Sequence, residues 1–303
     1  MTTTLILALA MQLVVAAKAG LVNYVQGTTN VKATQLVPVA SPILTGPNGY
    51  VELLLTPGSY LRMGNNSEVV LDSVELSNVV VRVAQGIAIV EVVDIDHTLP
   101  IQMTTGNVQV KIADPGIYQF GNGLATVIEG KLQAVDQETI FKKGWQISYS
   151  GTYMTRKVSD SELSALDIFS KTRSEKIAAA NMELAPVVKN SGYHSNGPIW
   201  IYSPAYALWT FMPYGNARSP YGYRYRGFET VVYGGRNGAA SSNDGSDSGS
   251  RMSNSNGSSS SSSSGGTFNS SGERTYGAPG GGGQRVTSGD YQTGKSTARP
   301  VPY

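Results

Sequence analysis

The 303-residue chain has no cysteine and only two histidines, His97 and His194. The first absence excludes disulfides, thiolate catalysis, iron–sulfur clusters, Cys-type zinc sites and a lipidated N-terminal cysteine. The second leaves too few imidazoles for most metal and acid–base constellations. Charge is also scarce: 15% of residues are charged and the formal net charge is +2, which predicts no strong steering toward nucleic acid. The charge is uneven, however. Residues 20–150 carry 7 basic and 11 acidic side chains, whereas 151–237 carry 10 basic and 6 acidic. No apolar run reaches the roughly 20 residues of a membrane-spanning helix.

The longest apolar run, Leu5 to Ala17, is interrupted only by Gln12 and leads into Ala17-Lys18-Ala19 and Gly20. A short apolar run ending in an A-x-A site is the signature of a secretory signal. Residues 1–19 are therefore expected to be a signal peptide, and the mature protein to be periplasmic or secreted with no lasting membrane span. The competing reading is a strand or helix of the folded domain.

From 20 to 151 the chain alternates with period two. Val79, Val81 and Val83 point one way, and Asn78, Val80 and Arg82 the other; Ile87 and Ile89 repeat the pattern, as do Val108, Val110 and Ile112. That period is the strand signal. Turn formers punctuate the runs, among them Gly46-Pro47-Asn48-Gly49, Gly64-Asn65-Asn66 and Gly121-Asn122-Gly123. Many short strands between such turns predict a mainly β domain, solenoid-like or sandwich-like, and no helical pattern between them supports a parallel α/β sheet.

Six segments of this region read in order: Gly58-Ser59-Tyr60-Leu61-Arg62-Met63-Gly64; Val81-Arg82-Val83-Ala84-Gln85-Gly86-Ile87-Ala88; Pro100-Ile101-Gln102-Met103-Thr104-Thr105-Gly106; Gly116-Ile117-Tyr118-Gln119-Phe120; Val127-Ile128-Glu129-Gly130-Lys131-Leu132; and Lys143-Gly144-Trp145-Gln146. In this order and spacing, over about 100 residues, they resemble the FecR domain of bacterial cell-envelope proteins. Ile117 replaces the family's usual Thr. The resemblance implies a β-rich domain facing the periplasm, and it supplies no catalytic residues. Relatives that transmit iron-uptake signals carry a cytoplasmic anti-sigma segment and a membrane span before this domain. With four residues ahead of its apolar run, the present sequence is expected to be a stand-alone form lacking that segment.

A helix is expected over 159–185. Ser159 and Glu162 fit a capping box, Leu163, Leu166, Ile177, Ala180 and Leu184 form an apolar face, and Pro186 is expected to stop it. The next segment, 192–237, is crowded with aromatic residues among Gly, Pro, Asn and Ser, with Arg218, Arg224, Arg226 and Arg236 interleaved. Two readings stand. The rings complete the hydrophobic surface of the β domain, or they form a contact surface for an envelope protein or glycan, with Trp200, Tyr202, Tyr206, Trp209, Tyr221, Tyr223 and Tyr225 as its candidate residues. The second expects at least one of Trp200 and Trp209 to be open to solvent. The last 66 residues, 238–303, contain 18 Ser and 14 Gly and no Leu, Ile or Trp. They cannot bury enough apolar area to offset their ordering entropy, so a disordered tail is expected.

Chemical motifs are thin. Gly289-Asp290-Tyr291-Gln292-Thr293-Gly294-Lys295-Ser296 matches a phosphate-loop pattern letter for letter, but no strand precedes it and no helix can follow it, so no nucleotide is expected. Asp94, Asp96 and His97 read as a solvated turn rather than a metal site, and His194-Ser195 lacks a nucleophile context. No catalytic residue, cofactor or metal is assigned, and no nucleic acid. The function expected is a non-enzymatic exported protein that binds or scaffolds a partner at the envelope. The alternatives are a cell-surface signalling receptor fragment of the iron-uptake type and a hydrolase with an unrecognised site.

Overall fold

The computed structural model describes residues 18–136, 138–158, 164–193 and 195–228. Residues 1–17 of the expected 1–19 signal peptide, the Ser159–Glu162 capping box, Leu163, His194, Arg236 and the 238–303 tail with its phosphate-loop match lie outside the described residues.

In chain order the elements are β1 (Leu21–Gln26), β2 (Pro42–Leu44), β3 (Tyr50–Leu54), β4 (Ser59–Met63), β5 (Glu68–Glu75), β6 (Asn78–Gln85), β7 (Ile87–Val92), β8 (Ile101–Thr105), β9 (Val108–Ile112), β10 (Gly116–Gly121), β11 (Leu124–Glu129), β12 (Lys131–Ala134), β13 (Ile140–Lys142), β14 (Trp145–Tyr149), β15 (Tyr153–Lys157), the helix α1 (Ala165–Asn190), and β16 (Ile199–Ser203), β17 (Leu208–Met212), β18 (Ala217–Arg218) and β19 (Arg224–Tyr225). The first fifteen strands form two sheets, ordered β1-β3-β4-β7-β10-β11-β14-β15 and β13-β12-β9-β8-β6-β5-β2. The order in each sheet follows the chain. The polypeptide crosses back and forth between the two sheets as it advances along them, so the domain has the winding of a solenoid and the layers of a sandwich. All pairings are antiparallel except β6 with β8, the one place where the chain visits β7 in the other sheet and returns in the same direction.

The sandwich interior is apolar. Val79, Val81 and Val83 are buried in it with Val108, Val110 and Ile112, while Arg82 faces out and pairs with Asp72 at 2.8 Å. The register read from the sequence is the one observed. Ala19 also belongs to this core: its side chain is fully enclosed and its N–H donates to the Val74 carbonyl.

The helix differs from its expected span. It runs from Ala165 to Asn190, capped by Ser164, whose hydroxyl accepts from the Asp167 N–H while the Asp167 carboxylate accepts from the Ser164 N–H. Pro186 lies inside the helix and does not end it. Tertiary packing overrides its propensity, because Leu184, Ala185 and Val188 are buried against Ile199, Ile201 and Met212 of the β16–β17 hairpin. Together α1, this hairpin and the β18–β19 ribbon form a cap over the outer face of the eight-stranded sheet. One close approach fixes the hairpin: Gly58 has φ +87°, and a Cβ there would meet the Phe211 ring at 3.1 Å.

Candidate functional site

The charges that the sequence hides best lie under the cap. On the outer face of the eight-stranded sheet, register places Glu52 of β3 opposite Arg62 of β4, with Glu91 of β7 beside them. Arg62 Nε donates to Glu52 at 2.7 Å, and Arg62 Nη1 donates to Glu91 at 2.6 Å and to Ser170 Oγ at 2.9 Å. From the helix, Arg173 Nη2 donates to Glu52 at 2.8 Å and Ser174 Oγ donates to Glu91 at 2.6 Å. Asn23 of β1 donates to Glu52 and exchanges two hydrogen bonds with the backbone of Trp209, which ties the hairpin to the same cluster. Tyr221 closes it by donating to Ser170 Oγ at 2.8 Å. Glu52, Arg62 and Glu91 have no solvent exposure.

Two carboxylates and two guanidiniums balance, as burial requires, because an unpaired charge in this interior would cost several kcal/mol. Burial pushes the Glu52 carboxyl up, but Arg173 and Arg62 together more than reverse this and hold it below the usual range. For Glu91 burial is again the largest influence; here it outweighs Arg62 and the Ser174 hydroxyl, and the carboxyl is raised. Arg62 is held firmly in its charged form: burial acts against this, but Glu91 and Glu52 prevail. The hydroxyls of Tyr60 and Tyr225 are raised by burial and sit within electrostatic reach of this cluster. The constellation is enclosed on every side, and its chemistry is to hold the cap on the sheet.

The aromatic candidates divide by position. Trp200, Trp209 and Tyr225 are core residues, with exposures of 0%, 8% and 1%. Trp200 packs edge-on against Tyr60 at 4.8 Å between centroids and against Phe211 at 6.1 Å, and Phe211 packs against Tyr225. The expectation that Trp200 or Trp209 is open to solvent is therefore corrected. The hairpin presents these rings to the apolar strip formed by Leu54, Tyr60 and Val93, where burying a large ring is worth more than leaving it wet. Tyr202, Tyr221 and Tyr223 are half-buried, and Tyr206 is exposed at the turn between β16 and β17.

The arginines of the same segment point the other way. In β19, Arg224 is exposed and Tyr225 buried, and Arg226 is exposed next. Alternation puts both guanidiniums on the outer face. Arg218 of β18 pairs directly with Arg224. Asn181 of α1 holds this ribbon by accepting from the Arg226 N–H at 2.7 Å and donating to the Arg226 and Phe211 carbonyls. A concavity of about 420 Å³ lies here, lined by Met182, Asn216, Arg218, Arg224 and Arg226 among others.

Asp94, Asp96 and His97 stay on a surface turn, where Asp96 accepts from the Thr98 N–H and hydroxyl. Among the described residues no group of three acidic or histidine side chains is placed to hold a metal, and no helix is long and apolar enough to cross a membrane. Sequence reasoning missed Asn23, Glu52, Glu91, Ser170, Arg173 and Ser174. The available signal was a single charge set at alternate positions in strands otherwise apolar on both faces, as in Val90-Glu91-Val92.

No family model matches the chain, and no curated protein matches it. Among solved structures, two crystal structures of an anti-sigma factor candidate from Parabacteroides distasonis are similar. One shares 13% identity, with a TM-score of 0.31, over 39% of this chain and 59% of that chain. The other shares 11% identity, with a TM-score of 0.33, over 57% of this chain and 98% of that chain.

Proposed function

We propose that this chain is an exported, non-enzymatic β module of the FecR type that acts by binding a partner at the cell envelope. Its contact surface is the arginine side of the cap. The observation that carries the reading is the sorting of the 192–228 segment, with Trp200, Trp209, Phe211 and Tyr225 inward against the sheet and Arg218, Arg224 and Arg226 outward. Evolved or not, exposed guanidiniums on a ribbon fixed from below are pre-organised for contact, so less ordering entropy is lost on binding. The apolar leader and the ordered FecR-like segments supply the compartment and the family side of the proposal. The test is capture from an envelope extract by the mature protein and by the Arg218→Gln/Arg224→Gln/Arg226→Gln variant. The reading expects capture to be lost in the variant while its melting midpoint is kept. Undiminished capture by the folded variant would place the contact surface elsewhere.

A further inference from the structure

We propose that the cleft between the C-terminal half of α1 and the β18–β19 ribbon binds a phosphate-bearing ligand, held by Arg218, Arg224 and Arg226. The inference rests on the reading of the arginine side of the cap as the contact surface, and it names the chemistry of the ligand.

Two concavities of about 420 and 450 Å³ adjoin there and share Asn216 and Arg226. The first is lined by Arg218 and Arg224, and the second adds Lys189 and Asn190. No carboxylate lines either one among the described residues. Glu175 and Glu183, the acidic residues of the middle and C-terminal half of α1, line neither one. None of the three arginines forms a salt bridge with a described residue, whereas Arg62, Arg82 and Arg173 all do.

The strand register supplies a second, independent observation. Arg218 and Arg224 are direct cross-strand partners. Two like charges about 5 Å apart at the backbone destabilise a pair of strands, and this ribbon is only two residues long on each side. Arg226 adds a third guanidinium two residues on, about 7 Å along the same face. The arrangement opposes folding of the ribbon, and a bound anion would relieve it.

The number of donors selects the anion. Each guanidinium offers five N–H groups in a planar fork. A lone carboxylate has two oxygens and one charge, too few for three forks. A phosphoryl group presents three oxygens and up to two charges, and a diphosphate or phosphodiester array presents more, so it can take two or three forks in bidentate contact. Met182, Ala185 and Pro186 give the cleft an apolar flank for the organic part that carries the phosphate.

The phosphate can be that of a soluble compound or of a lipid headgroup, and the experiment separates them. The full chain is titrated with inorganic pyrophosphate in a calorimeter and sedimented with phosphatidylcholine vesicles with and without phosphatidylglycerol. Arg224→Gln is compared with Arg82→Gln, which removes an equal charge from the other sheet. We expect Arg224→Gln to weaken binding by about tenfold or more, as loss of a charge-assisted contact does, and Arg82→Gln to leave it unchanged. Pyrophosphate binding alone identifies a soluble phosphate, and binding only to phosphatidylglycerol vesicles identifies a headgroup. Absence of both, or equal weakening by Arg82→Gln, overturns the proposal. If envelope capture still depends on the arginines in that event, the contact-surface reading stands and only the phosphate chemistry fails. If capture is also independent of them, both fail.

Discussion

Strands β3, β4 and β7 present Val51, Leu61 and Val90 to the sandwich, and Glu52, Arg62 and Glu91 to the cap. The two faces of one sheet are equally dry, yet one is held by apolar packing and the other by a neutral charge cluster. Packing of the first kind is non-directional and tolerates many arrangements that conserve volume. The second kind has directions: Glu52 must meet two arginines, and Glu91 must meet Arg62 and Ser174. The inner face therefore accounts for burial, and the outer face accounts for where the helix sits. An α1 displaced by one turn, about 5.4 Å, would take Arg173 and Ser174 out of hydrogen-bond reach of Glu52 and Glu91.

The largest effect should come from the centre of the outer face. Arg62→Ala leaves Glu91 without its cation and Glu52 with one of two, and should cost about 4 kcal/mol or more, by the usual penalty for breaking a buried pair. Chemical denaturation measures it; a loss below about 1 kcal/mol would mean that the cap is held by its apolar contacts alone. On the inner face, Val81→Asp should cost about 3 kcal/mol, since it removes buried apolar area and encloses an unpaired carboxylate. Both substitutions strand charge, but only the first should also expose Trp200 and Trp209.

Acid distinguishes the two carboxylates. The folded pKa of Glu52 is lowered, so its stabilisation is full above the ordinary value of 4.5 and is lost as pH falls through the lowered value. The folded pKa of Glu91 is raised, so its contribution has the opposite sign: it is full below 4.5 and lost as pH rises through the raised value. In a series of melting midpoints, Glu52→Gln should flatten the fall below about pH 4.5, and Glu91→Gln should remove a gain in stability that develops as pH falls toward 4.5. Identical profiles for the two variants would contradict the asymmetry of their surroundings. The smallest effect is expected on the far surface of the other sheet. Arg82→Ser breaks an exposed pair with Asp72 and should change stability by about 0.5 kcal/mol or less.

The inner face was legible in the sequence because period-two alternation reports a single apolar face directly. Val79, Val81 and Val83 needed no partner to be read. The outer face was not legible, since a charge such as Glu52 or Arg62 within an apolar strand means burial only if something covers it, and the cover lies more than a hundred residues away in α1. The same holds for residues 171–176 of α1, which are polar throughout. Arg173 and Ser174 look solvated in sequence, but the sheet beneath them is charged. Pro186 predicted a helix end by backbone chemistry alone, whereas the observed end depends on Val188 packing under the hairpin. The rings and arginines of 192–237 were read as one segment; over 192–228, their division into core and surface needed the register of β16–β19.

The central claim is that the cap is folded onto the sheet with its tryptophans inside, and fluorescence quenching tests it directly. The chain has three tryptophans, and Trp145 is the half-exposed one. In Trp145→Phe, acrylamide quenching of the remaining Trp200 and Trp209 should be several-fold weaker than in the same protein unfolded in urea. Quenching equal to that of the unfolded chain would mean that the segment is not packed on the sheet.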